Sequence, residues 1–267
     1  MGIKFLNQTT LKGNQEKFEE NGFYYKIDNL GYESISEALV SELECYITDF
    51  FHVDYYLCQV DNGEGVVLDA CKSKSFLEKG MLEKSLFSIV KMAIKRGDVP
   101  IEVLGKYQGK DLVNKVLDIV YNATELDAKE YIGKMLYLDY ITLNDDRHLN
   151  NITFSLKDGV WGFIPVYDNG GSLLSDLSKY SEDTDLLKNI RKVKSKPFST
   201  SFRRQCSYFL DDVDLLEVDI DGFLTKLEDV EKDIKYSVPF KRDSYRRAKQ
   251  ALEYQLKQTE GIVWKRK

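Results

Sequence analysis

The chain has 267 residues, 43% of them hydrophobic and 31% charged, enough for one large domain or two lobes with cores of their own. Lys and Arg number 38 against 44 Asp and Glu, and the net charge of −6 argues against a general nucleic-acid binder, whose footprint is basic. No apolar run approaches the ~20 residues of a membrane span, and Met1-Gly2-Ile3-Lys4 leads into polar residues rather than a signal-peptide core; a cytoplasmic enzyme, or an effector exported without a visible signal, is expected.

Residues 1–70 read mainly as strands with one helix. Residues 22–28 are short and aromatic, 34–47 show helical spacing, and 53–60 and 65–70 look like strands separated by Asp61-Asn62-Gly63. A small sheet-based lobe follows from this. Helical patterning over 80–96, broken at Arg96-Gly97-Asp98-Val99-Pro100, opens a second, mostly helical lobe over 71–267, and the boundary is expected near 65–76. Thr124-Glu125-Leu126-Asp127 has the chemistry of a helix start, and the apolar run through Ile132, Leu136 and Leu143 carries that helix to residue 143. Residues 211–235 and 241–260 show helical spacing again. Cys45, Cys58, Cys71 and Cys206 lack C-x-x-C pairing, so zinc is unsupported and buried free thiols are expected. With only His52 and His148 present, a histidine-based metal site or a Ser-His-Asp triad is hard to build.

The helix ending near residue 143 leads into Asn144-Asp145-Asp146-Arg147-His148-Leu149-Asn150-Asn151. Residues 152–157 and 160–166 then alternate apolar and polar side chains around Asp158-Gly159, a hairpin signal, and the hairpin ends in Tyr167-Asp168-Asn169-Gly170. Two strands joined by a tight turn return the chain to where it left, so Asn151 and Asp168 are expected side by side. A phosphotransferase needs a carboxylate to receive or orient the proton of the attacking hydroxyl, plus an amide oxygen and a second carboxylate to hold Mg²⁺. Asp146, Asn151 and Asp168 supply these oxygens in the order that kinases use. Asp and Asn beside a hairpin are also ordinary cap and turn residues; the Arg147-His148 insertion and the downstream Asp168 favour the catalytic reading. His148 is expected to bond the catalytic-loop backbone rather than act as a base. Lys188, Arg191, Lys192, Lys194 and Lys196 form a basic cluster around Pro197, either a solvated loop or a site for acidic partners.

In these elements the chain resembles the HipA-like serine/threonine kinases, whose catalytic-loop D-R-H-x-x-N is shared with phosphatidylinositol 3-kinase-like kinases. Thr10-Leu11-Lys12-Gly13-Asn14-Gln15-Glu16-Lys17 is similar to that family's phosphate-covering loop, S-x-x-G-x-Q-x-K, and Tyr24-Tyr25-Lys26-Ile27 to the strand bearing the ATP lysine. The resemblance covers roughly residues 7–210 and looks most like the short members, without the additional N-terminal subdomain. It implies an α+β, two-lobed protein-kinase-like fold with ATP and Mg²⁺ as cofactors. Lys26 would contact the α- and β-phosphates. Thr10, Gly13, Gln15 and Lys17 would belong to the covering loop, with Thr10 in the place of an autophosphorylated serine, and His148 is grouped with the same nucleotide site. A glutamate on the following helix would orient Lys26; Glu37 and Glu42 both stand there, and Glu42 is favoured. Arg147 joins Asp146 and Lys26 in the catalytic set, paired with the metal-loop carboxylate or with a phosphorylated residue. A protein substrate and an antitoxin or regulatory partner are implied without being identified. A lipid or small-molecule kinase, or a non-catalytic nucleotide-sensing module, stands as the alternative.

Overall fold

The computed structural model describes residues 16–61, 65–95, 98–230 and 241–267. Asn21-Gly22, both at positive φ (53° and 78°), turns the chain between β1 (Lys17–Glu20) and β2 (Phe23–Ile27). An Asn-Gly pair adopts that conformation readily, and its twist matches the strands on either side. The stacked rings of Phe18 and Tyr25, 4.8 Å apart, fix the register. β3 (Tyr56–Asp61) and β4 (Val67–Lys74) complete an antiparallel sheet in the order β1-β2-β4-β3. β4 runs past residue 70, so the chain stays in this sheet as far as Lys74.

Between β2 and β3 lies α1 (Glu33–Glu44). Asp28, just past β2, accepts hydrogen bonds from the Ser34 backbone N–H (2.6 Å) and hydroxyl (2.9 Å), and the Glu33 carboxylate accepts from the N–H groups of Leu30 and Gly31 (2.7 and 3.1 Å). The Ser34 N–H bond satisfies a donor that the first helical turn leaves without an intrahelical partner, and the Glu33 bonds fix the turn leading into the helix. Every residue of α1 is buried, including Glu37, Glu42 and Glu44. Buried carboxylates are costly unless they meet donors or cations, so this helix exists to be bonded on several sides.

The remaining part is mainly helical: α2 (Leu86–Ala93), α3 (Pro100–Leu104), α4 (Gly109–Thr124), α5 (Lys129–Thr142), α6 (Leu186–Lys192), α7 (Phe202–Ser207), α8 (Ile220–Asp229) and α9 (Arg242–Thr259). A second sheet, β5 (Leu82–Ser85), β6 (Thr153–Lys157) and β7 (Val160–Phe163), carries the expected hairpin, with Asp158 and Gly159 both at positive φ (51° and 83°). β8 (Leu216–Val218) and β9 (Trp264–Arg266) pair in parallel. One continuous core joins Ile35, Leu39 and Leu43 of α1 to Ile132 and Leu136 of α5 and to Ala248 and Leu252 of α9. The first sheet keeps a small cluster of its own around Phe18, Ile27, Val60 and Ala70.

Several sequence expectations are corrected here. Residues 82–85, expected as helix, form β5 because they are the edge partner of the hairpin strand β6; Ser85 then caps α2 by accepting from the Ser88 N–H at 3.2 Å. Thr124 closes α4 rather than opening a helix: Glu125 takes a left-handed conformation (φ 62°), and Asp127 opens α5 by accepting from the Lys129 N–H at 3.1 Å. Helix α4 itself was not anticipated. Within 211–235 the helix begins only at Ile220, capped by Asp219, because residues 216–218 are taken into pairing with β9. No described helix is long and apolar enough to cross a membrane.

Candidate active site

Lys17 and Lys26 are direct partners across the β1–β2 ladder, so both side chains leave the same face of the sheet. Two like charges in that relation repel, and a carboxylate offsets the repulsion. The Asp168 Oδ1 lies 2.8 Å from the Lys26 Nζ and 3.2 Å from the Lys17 Nζ. Lys26 is buried and donates a second, 2.5 Å bond to the Glu37 Oε1, while the rings of Tyr55 and Tyr167 lie 4.8 and 5.9 Å from its ammonium. Burial disfavours the charged ammonium, but Asp168 and Glu37 outweigh it and hold the Lys26 pKa well above its ordinary value. Burial likewise raises the Asp168 carboxyl, and the two lysines overcome it to hold that group far below the usual carboxylate range.

The partner of Lys26 is therefore Glu37, one of the two glutamates left open, and not the favoured Glu42. Five residues of helix turn a side chain by about 140° beyond one full turn, so Glu42 leaves α1 on another side. If Lys26 holds phosphate, Glu37→Gln weakens a charge-assisted bond worth about 1.5–3 kcal/mol, a loss of roughly 10–150-fold in kcat/KM for ATP. Glu42→Gln should leave that constant near the wild-type value, and steady-state kinetics on both variants decides between the two glutamates.

The candidate catalytic loop (residues 144–151) and candidate metal loop (residues 167–171) are joined by Arg147. It is fully buried at 0% exposure, forms a two-pronged ion pair with Asp139 (3.1–3.2 Å), and donates to the carbonyls of Asn151 (3.1 Å) and Tyr167 (3.0 Å) and to the Asn169 Oδ1 (2.6 Å). Burial opposes its charge, and the Asp139 carboxylate restores it, so the guanidinium pKa is raised. One side chain thus holds the backbone of Asn151 and the residues on both sides of Asp168. This corrects the catalytic expectation for Arg147: its donors are spent on the scaffold, and a group with no exposed surface cannot meet substrate. Its carboxylate partner is Asp139 of α5, not Asp168.

Asn169 extends the clamp. Its backbone N–H donates to the Glu37 Oε2 (3.0 Å) and its Nδ2 to the Glu44 Oε1 (3.2 Å), so α1 is bonded to the metal loop at two points. Asp168 itself has φ 63°, a left-handed conformation that costs energy for a non-glycine residue and turns the carboxylate toward the lysines. Gly171 passes so close to the catalytic loop that an added Cβ would stand 2.8 Å from the Asp146 Cβ, which is why this position has no side chain.

Asp146 is fixed through its backbone. Its N–H donates to the Asn144 Oδ1 (3.0 Å), and its carbonyl accepts from the His148 N–H (2.8 Å) and the Asn151 Nδ2 (2.9 Å). Its side chain is 53% exposed, with the Lys196 Nζ 3.2 Å from Oδ1. Behind it, the Asp145 carboxylate accepts from the Tyr180 hydroxyl (2.7 Å) and the Lys179 ammonium (3.2 Å), tying the loop to residues 176–180. The His148 N–H bonds the Asp146 carbonyl, while its ring Nδ1 is buried without a hydrogen-bond partner among the described residues. Thr10, Gly13 and Gln15 lie outside the described residues.

The donor set fits Mg²⁺, which takes hard oxygen ligands. Asn151 turns its Nδ2 toward the Asp146 carbonyl and keeps Oδ1 as its acceptor end, and both lysine contacts on Asp168 fall on Oδ1, leaving Oδ2 as a second oxygen. Lys17, Lys26 and Lys196 place positive charge around the same carboxylates, as polyphosphate requires.

Sequence reasoning overlooked Asp139, Asn169, Glu44 and the Lys196 contact. Asp139 carried a signal, since a carboxylate inside an otherwise apolar helix has to be paired. The others gave none, because their partners lie 22 to 132 residues away.

These features give an α+β kinase-type fold in which Lys17, Lys26, Glu37, Asp168 and the 144–151 loop meet between the first sheet, α1 and the β6–β7 hairpin. The chain is similar to the crystal structure of the proinflammatory kinase CtkA from Helicobacter pylori, with a TM-score of 0.58 and 15% identity over 98% of this chain and 91% of that one. It also matches HipA in the Shewanella oneidensis MR-1 toxin–antitoxin complex of HipA, HipB and operator DNA, with a TM-score of 0.49, 13% identity, and coverage of 95% of this chain and 65% of that one. No family model and no curated protein sequence matches the chain. The α+β kinase fold that the motifs imply is the fold found: a small antiparallel sheet-rich N-terminal part and a helical C-terminal part.

Proposed function

We propose that the chain is an ATP- and Mg²⁺-dependent serine/threonine protein kinase of HipA-like type. The observation that supports it most is the Glu37–Lys26–Asp168 ion-pair chain, held to the Asp146–Asn151 loop by the buried Arg147. Asn151 and Asp168 would hold Mg²⁺, which when bound neutralises charge on the phosphate oxygens.

Lys26 holds the nonreacting phosphates, oriented by Glu37. Asp146 orients the acceptor hydroxyl and takes its proton as the hydroxyl oxygen bonds to the γ-phosphorus. The bond from that phosphorus to the β-phosphate bridging oxygen breaks, and ADP leaves with its electron pair. Lys196, beside Asp146, adds positive charge where the transferred phosphoryl passes. Most of the rate gain in such a reaction comes from positioning and from charge already in place, and a site whose backbone is fixed by buried ion pairs supplies both.

The test is transfer of label from γ-radiolabelled ATP to protein serine or threonine, on the chain itself and on acceptor proteins. Wild-type protein should incorporate label in the presence of Mg²⁺, and Asp168→Ala should lose at least about 10²-fold of that rate. Undiminished incorporation by Asp168→Ala, or none by folded wild type, overturns the proposal.

A further inference from the structure

Beyond the candidate active site, three metal-ligating side chains of different chemistry meet where α1 ends. Cys45, the residue after α1, places its Sγ 3.4 Å from the His52 Nε2 and 3.6 Å from the Asp54 Oδ1, and the last two atoms are 3.9 Å apart. Zn–S bonds of about 2.3 Å and Zn–N and Zn–O bonds of about 2.0–2.2 Å at tetrahedral angles set donors about 3.3–3.6 Å apart. The observed triangle is one face of such a tetrahedron, opened slightly along a single edge.

The imidazole is already oriented. The His52 Nδ1 lies 2.9 Å from the Phe50 carbonyl oxygen, which can only accept, so Nδ1 carries the proton and the Nε2 lone pair faces Cys45 and Asp54. Local charge points the same way. The negative end of the α1 dipole falls at Cys45, and the last turn of α1 carries acidic side chains and no basic one. Cys45 and Asp54 are exposed, so an ion can reach them from solvent.

We propose that Cys45, His52 and Asp54 form a site for one borderline-soft divalent cation of the zinc class, with the fourth position taken by water. Binding converts the Cys45 thiol, which donates to the Ser41 carbonyl at 3.2 Å, into a thiolate and releases one proton to solvent. The ion then ties the end of α1 to residues 52–54. That segment is paired with Val166: the Val53 N–H donates to the Val166 carbonyl (3.0 Å), and the Val166 N–H to the Phe51 carbonyl (2.7 Å). Val166 lies two residues before Asp168, so the ion staples the helix that carries Glu37 to the segment that leads into Asp168. The C-x₆-H-x-D spacing matches no familiar zinc pattern, so spacing alone does not reveal the site.

The test uses Co²⁺ and Zn²⁺ alone on the full chain without nucleotide, so its outcome is independent of any kinase activity. Co²⁺ titration should give a thiolate-to-cobalt charge-transfer band and tetrahedral ligand-field bands, saturating at one equivalent and abolished by Zn²⁺. Cys45→Ser should lose the charge-transfer band. His52→Gln and Asp54→Asn should weaken Zn²⁺ affinity by more than the roughly 10–100-fold typical of losing an outer-shell partner. Circular dichroism confirms that each variant is folded, and Zn²⁺ should raise the melting temperature of wild type but not of Cys45→Ser. No band with wild type, a band that survives Cys45→Ser, or unchanged affinity in either of the other variants overturns the site.

Discussion

Asp146→Ala is expected to cut phosphoryl transfer by about 10²–10⁴-fold, the usual worth of a positioned proton acceptor, with no change in fold. The side chain is 53% exposed and its one side-chain contact among the described residues is the ion pair with Lys196, also half exposed. Pairs of that kind contribute about 0–1 kcal/mol to stability. The backbone bonds to Asn144, His148 and Asn151 do not use the side chain and survive the change. Asp146→Asn refines the result: it keeps the shape and can still orient a hydroxyl but cannot take its proton, so equal losses in both variants assign the carboxylate to proton transfer. Rates measured under single-turnover conditions, alongside thermal melts, provide the check. A variant that keeps more than about a tenth of wild-type transfer removes Asp146 from the chemistry.

Arg147→Ala is expected to have the largest effect on stability. Removing one member of a buried ion pair leaves an uncompensated charge and costs about 3–5 kcal/mol, and here the Asn151 and Tyr167 carbonyls and the Asn169 amide lose a donor as well. At this chain length such a loss corresponds to a melting temperature lower by on the order of 10 °C. Arg147→Lys should rescue little, because an ammonium cannot reproduce the planar fork facing Asp139 and both loops. The double variant Asp139→Leu, Arg147→Met separates two roles: it removes both charges and should regain much of the stability. It should not regain transfer, since the bonds by which Arg147 fixes the Asn151 and Tyr167 carbonyls and the Asn169 amide are then gone. Full activity in the stable double variant would show that Arg147 serves folding alone.

What could be read beforehand follows from the range of the interactions involved. The Asp158-Gly159 hairpin and the Asn21-Gly22 turn into β2 pair residues a few positions apart, and the D-R-H-x-x-N loop is legible as a contiguous motif even though Arg147 reaches Tyr167 and Asn169, 20 and 22 positions on. The sheet register that aims Lys17 and Lys26 at one carboxylate, and the choice of Glu37 over Glu42, depend on which side of a fully buried helix faces the cleft. Periodicity cannot show this when every position of α1 is apolar or bonded. Residues 82–85 misled because an edge strand four residues long takes its identity from β6, about 70 positions away. Lys196 sat in a run of basic residues that looks like ordinary solvated surface, and only the fold brings it to Asp146.

Asn169 is followed by glycine, the pairing in which an asparagine amide is most easily lost by cyclisation onto the next peptide nitrogen. In this fold that amide is gripped at both ends, by Arg147 at the oxygen and Glu44 at the nitrogen, and so is kept from the geometry of attack. Should it convert, the new acid would face Glu44 and share its neighbourhood with Glu37, Asp139 and Asp168, balanced among the described residues by Lys17, Lys26 and Arg147. A single ageing event at this position would therefore place an added negative charge between α1 and residues 167–171, where the amide now bonds Arg147 and Glu44.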